Sequence, residues 1–298
     1  MTETSLDIFV PYWGDPDYMK LTVDSVLAQT DPRWFLTIVD DAYPDPTIEE
    51  YVAGIADPRI TYFKKHKNEG ITESFRTSIQ MARQELVAVV GCDDVLLPNY
   101  VKTVLEAHDA YPDADIIQPG VRVIDAAGQR VKTLVDTVKQ RILKPRSTSP
   151  LLLSGEKLAS SLLHGDWLYW PSLTFKTDSV RTVDFRDEFP IIQDLALIVD
   201  MILQGRSLLL VPSESFAYRR HTESASSRLI VDGSRFTGER DYFSLAARLA
   251  HAQGWRRAEL AARLRLTSRL HALSLIPALL RSRDSGAFRT MLRHGLGT

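Results

Sequence analysis

Cysteine is nearly absent. Cys92 is the only one in 298 residues. A single thiol forms no intrachain disulfide, so stability must come from a packed core, and a reducing compartment is expected. No histidine lies near Cys92 in the sequence, which makes it a small buried filler rather than a nucleophile. Long apolar runs are also missing. The longest, Leu270 to Leu280, is interrupted by His271 and Pro277 and is too short to span a bilayer. The opening residues, MTETSLDIF, show neither a basic n-region nor an apolar h-region, so no secretory leader is expected and a cytoplasmic location is. Net charge is small, −2, which argues against generic nucleic-acid binding. There is no internal repeat and no low-complexity tract, which excludes solenoid and fibrous classes. What remains is 44% apolar and 25% charged, the make-up of a globular α/β domain or a domain with an appendage.

The most informative stretch is LVAVVGCDDVLLPNY, from Leu86 to Tyr100. Leu86 to Val90 is a Val-rich apolar run, the pattern of a strand buried on both faces. It runs into Gly91, Cys92, Asp93 and Asp94, and a helix is predicted from Pro98. Two adjacent carboxylates therefore sit where a buried strand leaves its sheet, the edge at which open α/β sheets bind ligands. Neighbouring anions raise each other's pKa unless something positive intervenes. A hard divalent cation shared with substrate phosphates meets that need. A turn whose Asp residues cap the next helix is the plainer alternative.

Strands are predicted at Leu6 to Val10 (stopped by Pro11), Phe35 to Val39, Ile60 to Phe63 and Leu86 to Val90. Helices are predicted at Tyr18 to Gln29, Thr47 to Ala53 and Thr72 to Arg83. This alternation indicates a doubly wound, mostly parallel sheet, with Asp40, Asp41, Asp93 and Asp94 at one edge. Beyond it, a helix is predicted to Ala110, a strand at Asp115 to Gln118, and a hairpin over Val121 to Val131 turning at Ala126, Ala127 and Gly128. Leu134 to Ser154 is basic and weakly patterned and reads as a long surface loop. A helix at Gly155 to Leu163 follows, then aromatic Trp167 to Phe175, a helix at Ile191 to Leu203, and a last buried strand at Ser207 to Val211. Tyr218 to Ser227 reads as a polar loop, and Arg240 onward as helical. The implied division is a catalytic domain over 1–235, with a nucleotide-binding half (1–118) and an acceptor half (119–235), then a basic helical extension over 236–298.

The order of these motifs resembles the family 2 glycosyltransferases, inverting enzymes of the GT-A fold, from about Asp7 to Ser226. VPYWGDPDYMKLTVDSVLAQT is similar to that family's first strand and helix. The resemblance implies that Pro11 and Tyr12 hold the nucleotide, with Tyr12 stacking on the base. IVDD resembles the second strand, where Asp41 reads the base edge; an N–H of uracil or thymine suits it, so UDP or dTDP is favoured. NEGITESFRTSIQMA implies Arg76 near the base or phosphates. CDDVLLPNYV is similar to the metal-binding DxD region, with Asp94 as ligand of Mn2+ or Mg2+ and Asp93 toward the sugar or metal. IIQDLAL implies Asp194 as catalytic base. YRRHTESAS resembles the loop that closes on the diphosphate, with Arg219 and Arg220 adding charge and His221 as a second metal ligand. Trp13, Ala42, Tyr43 and Gln193 depart from the family's usual residues.

Transfer from a nucleotide sugar requires neutralisation of the diphosphate leaving group and removal of a proton from the acceptor hydroxyl. Asp194 meets the second need, or else it is an acid favouring a helix dipole. Trp167, Tyr169 and Trp170 stack on acceptor sugars if exposed and are core if buried, with Trp170 the acceptor-site candidate. Asp187 and Glu188 are candidates to bond acceptor hydroxyls. The expected partners are thus a nucleotide sugar and a saccharide or lipid-linked acceptor. An inactive nucleotide-sugar-binding protein and a sugar nucleotidyltransferase are the alternatives. The latter usually places a Gly-rich, basic loop after the first strand, and VPYWGDPD has one Gly and no Lys or Arg.

From Phe236 onward there are eleven arginines against four acidic residues, a net +7, so the remainder carries −9. The leucines of this tail recur at helical spacing, diluted by alanine. Packing on the acidic catalytic domain, peripheral contact with the inner face of a membrane, and a homodimer surface are each compatible with that pattern.

Overall fold

The computed structural model describes residues 3–220, 234–270 and 272. Four strands open the chain: β1 (Leu6–Tyr12), β2 (Trp34–Asp40), β3 (Ile60–Lys64) and β4 (Leu86–Val89). They lie in the order β3-β2-β1-β4 and are all parallel. α1 (Pro16–Leu27), α2 (Thr47–Ile55) and α3 (Ile71–Met81) connect them. Every residue of β1 is buried. Leu6, Ile8, Val10 and Tyr12 join one core layer with α1, α2 and the later helix α4 (Tyr100–Ala110). Phe9 joins a second layer, on the opposite face, with α3. The period-2 alternation of a strand thus feeds two cores at once, which is why the run contains almost no polar residue.

β1 does not stop at Pro11. The Phe9 carbonyl accepts from Val90 N on the β4 side, so the backbone N–H and C=O of odd residues of β1 face β4. That ladder ends at Phe9–Val89, whereas pairing with β2 continues to Tyr12–Asp40. The missing N–H of Pro11 therefore costs no ladder bond. α1 begins at Pro16, two residues earlier than expected, because Asp15 caps it: Asp17 N donates to Asp15 Oδ1 at 2.8 Å.

The second half of the sheet is mixed. β8 (Thr174–Lys176) runs antiparallel to both β4 and β6 (Ile116–Ile124), while β6 is parallel to β9 (Leu208–Arg219). β5 (Val95–Leu96) and β7 (Leu151–Leu153) flank β9 antiparallel. The predicted strand and hairpin arm over 115–124 are one strand bent by a bulge at Gly120. A Cβ there would lie 2.7 Å from the Pro212 carbonyl oxygen, so only glycine lets the two backbones approach. The hairpin is reduced to a turn at Asp125–Gly128, with Gly128 at φ +78°, and one bridge between Ile124 and Arg130. β9 runs on past Val211, so Tyr218 and Arg219, expected in a loop, are strand residues.

The predicted loop over 134–154 is also structured. Thr133 caps α5 (Leu134–Val138), which continues into a π-helical turn, Lys139–Leu143, before β7. α6 (Gly155–His164), the short α7 (Thr177–Val180) and α8 (Gln193–Leu203) complete this half. The C-terminal helices, Ser234–Ala252 and Arg256–Leu264, share the core layer of α6 and α8 through Tyr242, Phe243, Ala246, Ala247, Ala250, Ala258, Ala261 and Ala262. The alanines that dilute the apolar pattern are the packing face. Among the described residues no helix is long and apolar enough to cross a membrane.

Candidate active site

The carboxyl ends of β1, β2 and β4 and the end of β9 meet at one edge, as the alternation predicts. At its centre is the turn Gly91–Asp94. Both carboxylates converge on the bare Cα of Gly91: a Cβ there would lie 2.7 Å from Asp94 Oδ2 and 3.0 Å from Asp93 Oδ1. Asp94 is 1% exposed, and its Oδ1 accepts from the Arg219 backbone N–H at 2.8 Å. Its carboxyl is held well above the usual carboxylate range, by burial first and by the Asp93 charge second, only partly offset by Arg219. Asp93 is partly exposed. Asp94 braces the loop from inside, and Asp93 is the more exposed of the two carboxylates.

This pair fits a divalent cation. Asp94 Oδ2 and Asp93 Oδ1, two hard oxygens, converge beside Gly91, and neighbouring carboxylates favour a shared positive charge. Among the described residues no cluster of three or more His, Cys, Asp or Glu forms a closed cage. A site of this kind leaves coordination positions for substrate phosphates. His221, the expected second ligand, lies outside the described residues.

Arg219 is a structural weld rather than a mobile anion-binding arm. It is 4% exposed; its Nε donates to the Asp93 carbonyl at 2.7 Å, and its Nη1 donates to the carbonyls of Asp125 and Ala126 at 3.0 and 3.1 Å. The guanidinium also lies over the Tyr18 ring at 4.8 Å. Arg220 is committed too: Nε and Nη2 donate to the two carboxylate oxygens of Asp136 at 2.9 and 2.7 Å.

The expected base-binding wall is arranged differently from the sequence reading. Tyr12 is 1% exposed and so offers no open face; its ring meets Tyr43 at 4.9 Å, and its buried hydroxyl has no hydrogen-bond partner among the described residues. Burial, with the neighbouring Tyr43 and Cys92, raises the pKa of that phenol. The exposed aromatic at this edge is Trp13, packed edge-on against Tyr43 at 5.3 Å. Asp41 points inward. Its oxygens accept from the backbone N–H of Glu69 (3.0 Å) and Gly70 (2.8 Å), and Lys65 Nζ lies 3.2 Å away. It fixes the turn that enters α3, where Gly70 adopts φ +88°. Asp40 is structural, as expected: it accepts from Tyr43 N at 2.7 Å and the Tyr62 hydroxyl at 2.5 Å.

Arg76 is not at this edge. It lies mid-helix in α3 and binds Glu73, Asp184, Asp187 and the Phe185 carbonyl, all at 2.5–2.8 Å. Those carboxylates raise its pKa further, led by Asp184. Asp187 is therefore an ion-pair partner of Arg76, and Glu188 lies 3.6 Å from Arg186. Trp170 is core: 9% exposed, it packs on Phe75, Phe175 and Phe185, and Trp167 and Tyr169 are buried with it. The aromatic run supplies no open stacking surface because Trp167 and Trp170 fill the core layer of α3, α6 and α8, and Tyr169 fills the opposite layer.

Asp194 opens α8, as predicted. Its Oδ1 accepts from Leu195 N at 2.8 Å. Beside it Gln193 accepts from the Thr72 hydroxyl at 2.5 Å, joining the first turn of α8 to that of α3. Sequence reading missed three of these residues. Thr72 carried no signal. Lys65, buried against Asp41 and the Ser74 hydroxyl (3.0 Å), was legible only as a lysine after a strand. Asp136 sat in a stretch without apparent period.

The architecture, a half-parallel, half-mixed sheet with its acidic turn at the carboxyl edge, is the GT-A fold. The crystal structure of S. aureus TarS residues 1–349 in complex with UDP-GlcNAc superposes at TM-score 0.63, covering 99% of this chain and 92% of that one at 14% identity. The sequence model for Glycosyl transferase family 2 matches residues 7–154. An uncharacterized glycosyltransferase of Rickettsia felis is 27% identical over 75% of this chain and 35% of its own length. The succinoglycan biosynthesis protein ExoO of Rhizobium meliloti is 24% identical over 75% of this chain and 63% of its own. A putative colanic acid biosynthesis glycosyl transferase of Escherichia coli, WcaA, is 31% identical over 35% of this chain and 37% of its own. The chain spans 14% to 35% of the length of three such relatives, the Rickettsia felis protein among them. The chain belongs to the family 2 glycosyltransferases.

Proposed function

We propose that the chain transfers a sugar from a nucleotide diphosphate sugar, UDP- or dTDP-linked, to an acceptor hydroxyl with inversion at the anomeric carbon. The observation that carries this reading is the convergence of the Asp93 and Asp94 oxygens on Gly91 at the carboxyl edge of the sheet. Asp93 holds a divalent ion, Mn2+ or Mg2+, and Asp94 fixes the loop from beneath. When bound, that ion supplies Lewis-acid neutralisation of the departing diphosphate. Trp13 and Tyr43 form the aromatic side of the base site, and Asp41 with Lys65 holds the turn behind it. Asp194, at the mouth of α8, takes the acceptor proton as the new bond forms; a carboxylate serves because that proton leaves late. Relatives named for succinoglycan and colanic acid synthesis support a role in cell-surface polysaccharide or glycolipid assembly.

A panel of UDP-, dTDP- and GDP-sugars, screened by thermal shift with and without Mn2+, tests the reading. At least one UDP- or dTDP-sugar raises the melting temperature, and more so with metal. No shift with any donor supports neither transfer nor an inactive binding role. A metal-dependent shift with no turnover, hydrolysis included, favours the inactive binding protein.

A further inference from the structure

In the segment over residues 130–146 several polar groups turn onto the protein. Asp136 is 3% exposed and accepts from Arg220, the Tyr169 hydroxyl (2.9 Å) and Thr133. Lys139 Nζ donates to the Leu168 carbonyl at 3.2 Å, and the Gln140 amide donates to Val121 O and to Tyr169 Oη. Meanwhile Leu134 is 81% exposed, Ile142 73% and Val135 47%. Polar anchors hold the arm rigid while its branched aliphatic side chains face solvent. Water gives no reason to hold leucine and isoleucine outward on an ordered element, and all three lie on one continuous helical stretch, α5 and the π-helical turn after it, which suits an interaction surface.

The charge around this face identifies what covers it. Between residues 126 and 150 the only acid is Asp136, buried against Arg220, whereas Lys132, Arg141 and Arg146 are exposed. The nearest acids from other elements, Asp166 and Glu214, are engaged by Lys139 and Arg130, and exposed aliphatics rimmed by lysine and arginine are complementary to an anionic lipid surface. The patch is three side chains wide, far short of the ~20–30 residues per partner of a stable protein interface. The arm also adjoins the site and the tail. Arg220 follows directly on Arg219, which binds the Asp93 carbonyl. Leu143 and Thr267 both lie against Gly165, beside the stretch bearing exposed Leu266 and Leu270.

We infer that Leu134, Val135 and Ile142, with Lys132, Arg141 and Arg146, dock this protein on an anionic bilayer and present the acidic edge of the sheet to an acceptor anchored there. This rests on the sugar-transfer reading, and the test separates the two. The full chain is cosedimented with phosphatidylglycerol and with phosphatidylcholine vesicles at low and high salt, alongside the double variants L134E/I142E and R141Q/R146Q. The wild type binds phosphatidylglycerol vesicles at low salt and is released at high salt, because the attraction is screened. Each double variant loses at least fivefold in bound fraction while keeping its melting temperature and its hydrolysis of soluble donor, which needs no membrane. Should L134E/I142E melt early, R141Q/R146Q alone decides, since both arginines are exposed. Wild-type binding in both variants places the contact elsewhere, for instance on the basic tail, and overturns the inference. So does equal binding to phosphatidylcholine, absence of binding, or a change from dimer to monomer in the variants.

Discussion

Arg220 and Asp136 are joined by two parallel bonds, Nε to Oδ2 at 2.9 Å and Nη2 to Oδ1 at 2.7 Å, across 84 residues of sequence. The Asp136 side chain is 4% exposed and that of Arg220 33%. Burial alone would raise the Asp136 pKa, but the bonds from Arg220, Thr133 and Tyr169 outweigh it and the net shift is downward. A carboxyl lowered on folding contributes stability above its unfolded value, about 3.9, and loses it as pH falls through the folded value. The link therefore persists at pH 5.

Asp136→Asn removes one charge and leaves the other half-buried. Breaking a buried pair costs ~3–5 kcal/mol, and the partial exposure of Arg220 brings the expected loss to the lower end. Urea unfolding of Asp136→Asn, Arg220→Gln and the double variant measures the coupling. An uncoupled cycle, with the two losses simply adding, contradicts a direct link.

Asp194 stands at the start of α8, whose first turn is tied to α3 through Gln193 and Thr72. Asp194→Asn keeps the shape of the helix start and removes the proton acceptor. We expect kcat to fall by about a hundredfold or more with donor affinity unchanged, since a general base acts in the transition state. Single-turnover rates beside donor titration check this. A kcat within a few-fold of wild type leaves Asp194 as a helix-start acid and moves the base elsewhere.

Cys92 precedes the acidic pair, and burial, then the Asp93 charge, push its thiol up to about 12. The thiolate is the nucleophile, so at pH 8 the reactive fraction is lower by roughly a thousandfold than for an ordinary thiol near 8.5. Native protein should resist iodoacetamide at pH 8 and react at the normal rate once unfolded. Rapid alkylation of the native chain would show an open, low-pKa thiol.

With Asp194 as the sole base, as proposed above, the reaction is a single displacement. A product of inverted anomeric configuration is expected, read from the anomeric proton coupling constant. Retention of configuration sinks the single-displacement chemistry.

The first half of the fold was legible because its strands are buried on both faces and its helices keep one apolar stripe. Leu6 to Val10 and Leu86 to Val90 announce themselves by composition alone. The second half was less so. Gly120 looks like a break in sequence, yet it is the bulge that keeps β6 continuous against Pro212. The stretch around Asp136 hides its helix because the residues facing inward are polar. Among site residues, the place of Asp93, Asp94 and Asp194 follows from strand and helix ends. The direction of each side chain does not. Tyr12, Asp41 and Trp170 turn into the protein, and Arg76 and Arg219 spend their charge on Asp184 and on backbone carbonyls.

The role of Asp93, the more exposed carboxylate, is tested most directly by donor turnover in wild type, Asp93→Asn and Asp94→Asn, each with Mn2+ and with EDTA. We expect Asp93→Asn to melt like wild type and to lose metal-dependent turnover, as the wild type does in EDTA. Asp94→Asn keeps an acceptor for Arg219 N and buries no charge beside Asp93, so it should melt no lower than wild type. Full turnover by Asp93→Asn, or by the wild type in EDTA, would contradict a metal held at this edge.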